Sequence, residues 1–227
     1  MKPSLCVIVP VLNEDGLIKD CIQNLQAMGI DEIIVADGGS TDGTVEIARS
    51  ENVTVVVGPR GRGTQIAAAL SQSSSEVAWV VHVDCLPCPE HYGKLQQALN
   101  TNSRIWGAFT VNHQVPAGAS KLIQGCLSLA NRRSRRTSFP YGDQAIFFHR
   151  DLIEQIGGFP EQELMEDLEL SRRLNEIMST RIIDLPISVS GRRFVKYPIK
   201  TVFSWLTFPW LYRLGVPPRQ LLRWYEG

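Results

Sequence analysis

Four short apolar runs, Leu5–Val11, Glu32–Ala36, Val53–Val57 and Val77–Val83, alternate with stretches of helical periodicity, and this alternation constrains the chain more than any other feature. The runs are rich in valine and isoleucine with little polar alternation, as strands buried on both faces require. Between the first two, Leu17, Ile18, Cys21, Ile22 and Leu25 fall on one helical face. A turn rich in capping residues, Asp37 to Thr44, leads into a second helix beginning at Val45. Gly61-Arg62-Gly63 then opens a third, small-residue helix through Ala67–Leu70. Such alternation with short connections predicts a doubly wound α/β fold, a mostly parallel central sheet flanked by helices. Ligands of these sheets sit at the carboxyl ends of the strands. Asn13-Glu14, Asp37–Asp42 and His82–Asp84 each follow a strand, so three polar clusters are expected to converge on one crevice.

The second half is less regular. Strands are predicted at Trp106–Val115 and Gln144–Phe148, with helices at Ala119–Arg133 and Leu164–Leu174. The 44% hydrophobic content of the 227 residues suffices for one large domain with its own core. A net charge of zero argues against global attraction to nucleic acid. The charge is segregated, however: residues 191–227 hold seven basic side chains against Glu226 alone, together with Trp205, Trp210 and Trp224. This predicts a domain over residues 1–195 and a C-terminal aromatic and basic helical extension over 196–227. Packing on the domain or a homo-oligomer contact is favoured for it over peripheral membrane contact, because its prolines oppose a long amphipathic helix. Five cysteines without framework spacing fit a reducing compartment. No run approaches the ~18 apolar residues of a membrane span, and Leu5–Leu12 has a strand's character rather than a leader's, so a cytoplasmic location is expected.

Three groups of carboxylates carry candidate chemistry, each with an ordinary structural alternative. Asp37, beside Gly38, can hold a ribose hydroxyl or a base N–H, or simply cap its turn. Asp84 can bind a hard cation shared with substrate phosphates, or cap a strand end. Glu166 and Asp167 can take a proton from an attacking hydroxyl, or favour a helix's first turn through its dipole. His82, Cys85, Cys88 and His91 form a compact set that allows a zinc or redox reading, but no second cysteine pair accompanies it. A dinucleotide oxidoreductase is disfavoured, since Pro10–Gly16 carries only one glycine. Arg132, Arg133, Arg135 and Arg136 suit either a phosphate-bearing acceptor or a solvated helix end.

Taken in order, Ile8-Val9-Pro10-Val11-Leu12-Asn13-Glu14, Ile33 through Thr44, Gly61-Arg62 with Gln65, His82-Val83-Asp84, Gly142-Asp143-Gln144 and Glu166-Asp167 resemble family 2 glycosyltransferases over about residues 4–195. Gly142-Asp143-Gln144 and Ser190-Gly191-Arg192-Arg193-Phe194 are most similar to the small bacterial branch associated with radical-SAM and selenium-domain genes, including arsenosugar-type transferases. The resemblance implies the GT-A fold, a nucleoside-diphosphate-sugar donor, an acceptor it does not name, and inversion by direct displacement. It implies that Pro10, Asn13, Glu14, Asp37, Gly38, Arg62, Gln65 and Asp84 bind the nucleotide-sugar. Asp84 would carry Mn2+ or Mg2+, and Asp167 would be the base with Glu166 beside it. Gly142, Asp143, Gln144, Arg192 and Arg193 are candidate acceptor or phosphate contacts. Two positions depart from the family pattern: Ala36 precedes Asp37 where a second Asp is usual, and His82 replaces the first carboxylate of Asp-x-Asp. The second departure keeps open a nucleotide-sugar-binding module without catalysis.

Overall fold

The computed structural model describes residues 3–30, 32–115, 117–191 and 198–226. Eight strands form one sheet in the order β3-β2-β1-β4-β7-β6-β8-β5. They are β1 (Leu5–Val11), β2 (Glu32–Asp37), β3 (Thr54–Val57), β4 (Val77–Val80), β5 (Cys85–Leu86), β6 (Trp106–His113), β7 (Phe147–His149) and β8 (Arg181–Val189). The helices are α1 (Asp15–Ala27), α2 (Thr44–Ser50), α3 (Arg62–Gln72), α4 (Pro89–Thr101), α5 (Lys121–Ser134), α6 (Arg150–Gln155), α7 (Glu166–Asn175), α8 (Pro198–Arg213) and α9 (Pro218–Glu226). The first four strands are mutually parallel. β7 lies antiparallel between β4 and β6, and β8 returns parallel to β6.

Successive side chains of β1 feed two cores, one on each face of the sheet. Val7, Val9 and Val11 join Ile18, Ile22 and Leu25 of α1. Cys6 and Ile8 join Ile66, Ala69 and Leu70 of α3 with Leu170 and Leu174 of α7. Each fully buried Val, Leu or Ile contributes roughly 1.5–3 kcal/mol. The continuous apolar character of β1 follows from its being sandwiched.

Several expectations are corrected. β4 ends at Val80 rather than Val83, because a turn closed by Cys85 N–H on the His82 carbonyl (2.9 Å) lifts His82–Asp84 out of the sheet. The strand expected at Gln144–Phe148 is a 3-10 turn, Gly142–Gln144, followed by the short β7. Ala145, in the left-handed region at φ 47°, separates them, and the Gln144 side chain bonds the Phe109 carbonyl instead of pairing in a ladder. α7 starts at Glu166, two residues later than expected. α4, α6, β5 and β8 were not expected; β8 contains Pro186, which stands next to a register shift opposite Phe109 and Thr110. In the C-terminal segment Pro209 lies inside α8 rather than ending it. It removes one backbone bond, to the carbonyl four residues back, and the helix runs on.

Candidate active site

The strand order reverses between β1 and β4, and a pocket of about 550 Å³ opens at their carboxyl ends. Pro10 and Glu14 reach it from the end of β1, and His82 and Asp84 from the turn after β4. Arg62 and Gln65 come from the start of α3, Gly142 and Asp143 from the 3-10 turn, and Asp167 from the first turn of α7. Residues distant in sequence thus share one wall.

The Asp37–Asp42 cluster does not line the pocket; it braces the loop that does. Asp37 is buried, and its carboxylate accepts the Gly39 and Ser40 N–H groups (2.8 and 2.9 Å) and the Ser40 hydroxyl (2.5 Å). The Ser40 hydroxyl oxygen in turn accepts the Asn13 N–H (2.8 Å), and Asn13 Oδ1 accepts the Thr41 N–H (2.8 Å). Gln65 Nε2 donates to the carbonyls of Val11 and Ala36, both at 2.7 Å, clamping β1 to β2 where Glu14 departs. A side chain at Gly38 would press on the Gln65 amide at 3.0 Å. Asn13, Asp37 and Gly38 therefore hold the shape of the site, while Gln65 both braces it and borders it.

Two adjacent acids on α7 have different surroundings. Glu166 is only 2% exposed and pairs with Arg62, Nε to Oε1 at 2.8 Å. Burial pushes its carboxyl up to about 7, against the opposing pull of Arg62 and with the negative charge of Asp167 adding to the rise. Asp167 instead faces the pocket, its Oδ2 accepting the Gly142 N–H at 2.8 Å and its Oδ1 accepting the Leu168 N–H at 2.8 Å. Each carboxylate oxygen keeps a second lone pair for an incoming proton. Gly142 is glycine for a reason of space: a Cβ there would lie 2.6 Å from His82 Cε1 and 3.7 Å from Asp167 Oδ2.

Asp143 is held from behind. Its Oδ2 lies 3.0 Å from His113 Nε2, and His113 Nδ1 lies 2.7 Å from Asn131 Oδ1, which also accepts the His113 backbone N–H. Both ring nitrogens thus face acceptors, the arrangement of an imidazolium. Burial lowers the His113 pKa, but the Asp143 hydrogen bond and charge outweigh it and the net shift is upward. Burial opposes ionisation of Asp143 most strongly, yet the His113 bond and charge, with Arg133 and His82, hold it below the usual carboxylate range. Asp143 Oδ1 is buried without a hydrogen-bonding partner. That orphaned oxygen and the pocket-facing Asp84 carboxylate are hard donors that suit Mg2+ or Mn2+. Among the described residues no three His, Cys, Asp or Glu side chains converge to hold a metal alone.

The Cys/His set is engaged otherwise. Cys88 caps α4, with His91 Nδ1 accepting its backbone N–H at 3.0 Å. Cys85 is buried, and desolvation, with Asp84 and Asp143 nearby, raises its thiol well above the ordinary value. Gln144 is fully buried, holding the carbonyl of Phe109 rather than facing the pocket. Arg192 and Arg193 lie outside the described residues.

One wall had no counterpart in the sequence reading. Thr201, Ser204, Trp205 and Phe208 of α8, with Leu222 and Tyr225 of α9, also line the pocket. Their spacing along α8 is helical, and that periodicity was the available signal. Tyr212 Oη ties α8 to α7 by donating to Glu169 Oε2 at 2.8 Å, and Arg219 meets Glu163 at 3.0 Å.

Residues 6–157 match the family described as glycosyl transferase family 2. Glycosyltransferase AglE of Haloferax volcanii is 25% identical over 174 residues, 70% of this chain and 56% of AglE. The mannosyltransferase PcManGT of Pyrobaculum calidifontis, solved with GDP-Man and Mn2+, superposes with a TM-score of 0.63 at 22% identity, over 84% of this chain and 57% of that one. Glucosyl-3-phosphoglycerate synthase of Mycobacterium tuberculosis, solved with Mn2+, UDP and phosphoglyceric acid, gives 0.60 at 20% identity, over 95% and 80%. The matches span little more than half the length of AglE and of PcManGT. The α/β fold, with its central sheet flanked by helices, is that of the GT-A transferases.

Proposed function

The chain belongs to glycosyl transferase family 2, and from that premise we propose that it moves a glycosyl group from a nucleoside-diphosphate sugar to an acceptor hydroxyl with inversion. The observation that carries the reading is the convergence of the Asp84 and Asp167 carboxylates on one pocket at the β1/β4 switch. Asp84 is the metal ligand, and Asp143 and His82 stand beside it. A divalent cation bound there, Mn2+ or Mg2+, supplies neutralisation of the charge on the departing diphosphate. Glu14 and Arg62 border the nucleotide. Asp167, oriented by the Gly142 N–H, takes the proton of the acceptor hydroxyl as that oxygen attacks the anomeric carbon from the opposite side. Glu166 acts on Asp167 through its pairing with Arg62 and does not face the substrate. Residues 196–227 are an extension of the transferase domain that completes the acceptor side. A hexosyl donor is supported by GDP-Man in PcManGT. Membership of the arsenosugar-type branch and a cytoplasmic location belong to the same reading.

Titration calorimetry with UDP and GDP, each with and without Mn2+, tests the donor site on wild type and Asp84→Ala. Metal-dependent binding of one nucleotide, lost in the variant, is expected; binding of neither refutes the reading. Asp167→Asn is expected to lower turnover about 10²–10⁴-fold with donor affinity unchanged. Equal loss of binding would remove Asp167 from the role of base. Nucleotide-sugar binding by wild type with no turnover on any acceptor would favour the binding module that the His82 departure suggests.

A further inference from the structure

α8 is apolar on two opposite sides. At about 100° per residue, Thr201, Ser204, Trp205, Phe208 and Pro209 share the side that lines the pocket. On the far side Phe203, Leu206 and Trp210 are 58, 46 and 66% exposed, and Leu214, whose N–H still bonds the Trp210 carbonyl, is 80% exposed. These four fall within an arc of about 80°. α5 packs against α8 and adds exposed Leu122 and Leu129, and Trp224 is exposed on α9. A helix apolar all round is normally covered on both sides, and an exposed apolar stripe of this kind marks an interaction site.

The charge around it selects the occupant. Residues 117–136 and 198–226 together contain nine basic side chains and one acid, and of the nine only Arg135 and Arg219 are ion-paired among the described residues, with Asp184 and Glu163. Arg132, Arg213 and Arg223 are exposed among them. A two-fold dimer through this face would set the same basic rim against itself, which like-charge repulsion opposes. An anionic lipid surface satisfies both requirements, accepting the apolar stripe at the acyl boundary and the arginines at the headgroups. No helix among the described residues is long and apolar enough to cross a membrane, so the fit is to lying on the surface. We infer that the outer face of α8, flanked by α5 and α9, docks on an anionic membrane surface. Seated so, α8 is the partition between the lipid and the acceptor side of the pocket. This inference is independent of the donor chemistry, since vesicle binding needs no nucleotide.

The test is co-sedimentation of the purified chain with vesicles of phosphatidylglycerol and phosphatidylcholine in equal parts, against phosphatidylcholine alone. Binding to the anionic vesicles only, weakening with salt, is expected. Arg213→Gln and Arg223→Gln are each expected to weaken it about fivefold, and Phe203→Glu with Trp210→Glu to abolish it. A second measurement needs no variant: lipids brominated on their acyl chains are expected to quench part of the tryptophan fluorescence, because Trp210 and Trp224 are exposed while Trp79 and Trp106 are fully buried. No sedimentation with anionic vesicles, or no quenching on binding, overturns the inference. So does a concentration-dependent dimer in light scattering that the Phe203/Trp210 variant dissociates, which would make the occupant a second copy.

Discussion

Glu166 is expected to make this fold less stable as pH rises through neutrality, and the size of the effect can be worked out. Burial pushes its carboxyl up to about 7 in the folded chain from an ordinary 4.5. The folded state therefore holds the proton more tightly than the unfolded chain does. A raised folded pKa gives stability that is fully present below the unfolded value and is lost as pH climbs through the folded one. Integrating between these two values, the wild type loses roughly 2–3 kcal/mol from this group between pH 5 and pH 8. Glu166→Gln is close to an isostere of the protonated acid and keeps an oxygen for Arg62, so it is expected to flatten that part of the profile. The assay is urea unfolding at several pH values, following the midpoint and the slope for both proteins. Arg62→Met, which removes the group opposing the upward shift, moves the loss to higher pH. Parallel profiles for wild type and Glu166→Gln would refute the reasoning, because the buried pair would then be ionised throughout at no differential cost.

Gly142→Ala is expected to lower turnover strongly, because its Cβ would displace the His82 ring from the base and metal residues; comparison of turnover with the thermal midpoint separates this from a stability loss of about 1–3 kcal/mol. Tyr212→Phe removes the hydroxyl bonded to Glu169, a carboxylate that its bonds with Arg172 and Arg173, working against burial, hold near 2. It is expected to cost about 1.5 kcal/mol and to free α8 for limited proteolysis. At Gly63 a Cβ would lie 2.1 Å from the Pro160 carbonyl oxygen, whereas Gly93 in α4 has nothing within 4 Å. Gly63→Ala is thus expected to unfold or severely destabilise the chain and Gly93→Ala to stabilise it by about 0.5–1 kcal/mol, both read from urea midpoints.

What was legible in the sequence was what neighbours along the chain determine. β1 to β3 and α1 declare themselves through runs of valine and isoleucine or a 3.6-residue stripe, and both signals need only a short window. β8 pairs with β6 across more than seventy residues and carries Arg181, Asp184 and Ser188 among its apolar positions, so no local pattern announces it. α4 did carry a signal, Pro89 at its first position, but the cysteines and histidines around it drew a competing reading. Asp37 shows the limit for site residues: a ribose ligand and a turn cap both call for a carboxylate at a strand end. Only the positions of Gly39, Ser40 and Asn13 distinguish them. The support of Asp143 by His113 and Asn131 was hidden for the same reason, since two other elements, β6 and α5, supply it.

The backbone carries the same logic further. Of the four described non-glycine residues with positive φ, Met165 lines the pocket, Asn13 stands between the lining Leu12 and Glu14, and Ala145 follows the lining Asp143 by two residues, while Asn52 lies elsewhere in the sequence. Asn tolerates that region well, but Ala145 and Met165 do not, and such positions cost of order 1–3 kcal/mol unless the surroundings impose them. Met165 immediately precedes Glu166, so its left-handed turn sets the direction in which α7 begins. Ala145 ends the 3-10 turn whose Gly142 N–H meets Asp167. The two strained residues thus bracket one hydrogen bond, 2.8 Å long, that orients the proposed base. Relaxing either backbone to an ordinary conformation would redirect α7 or the turn, so the strain is maintained by the same Asp167–Gly142 contact, Arg62–Glu166 pair and Gln144 bonds that fix the geometry of the site.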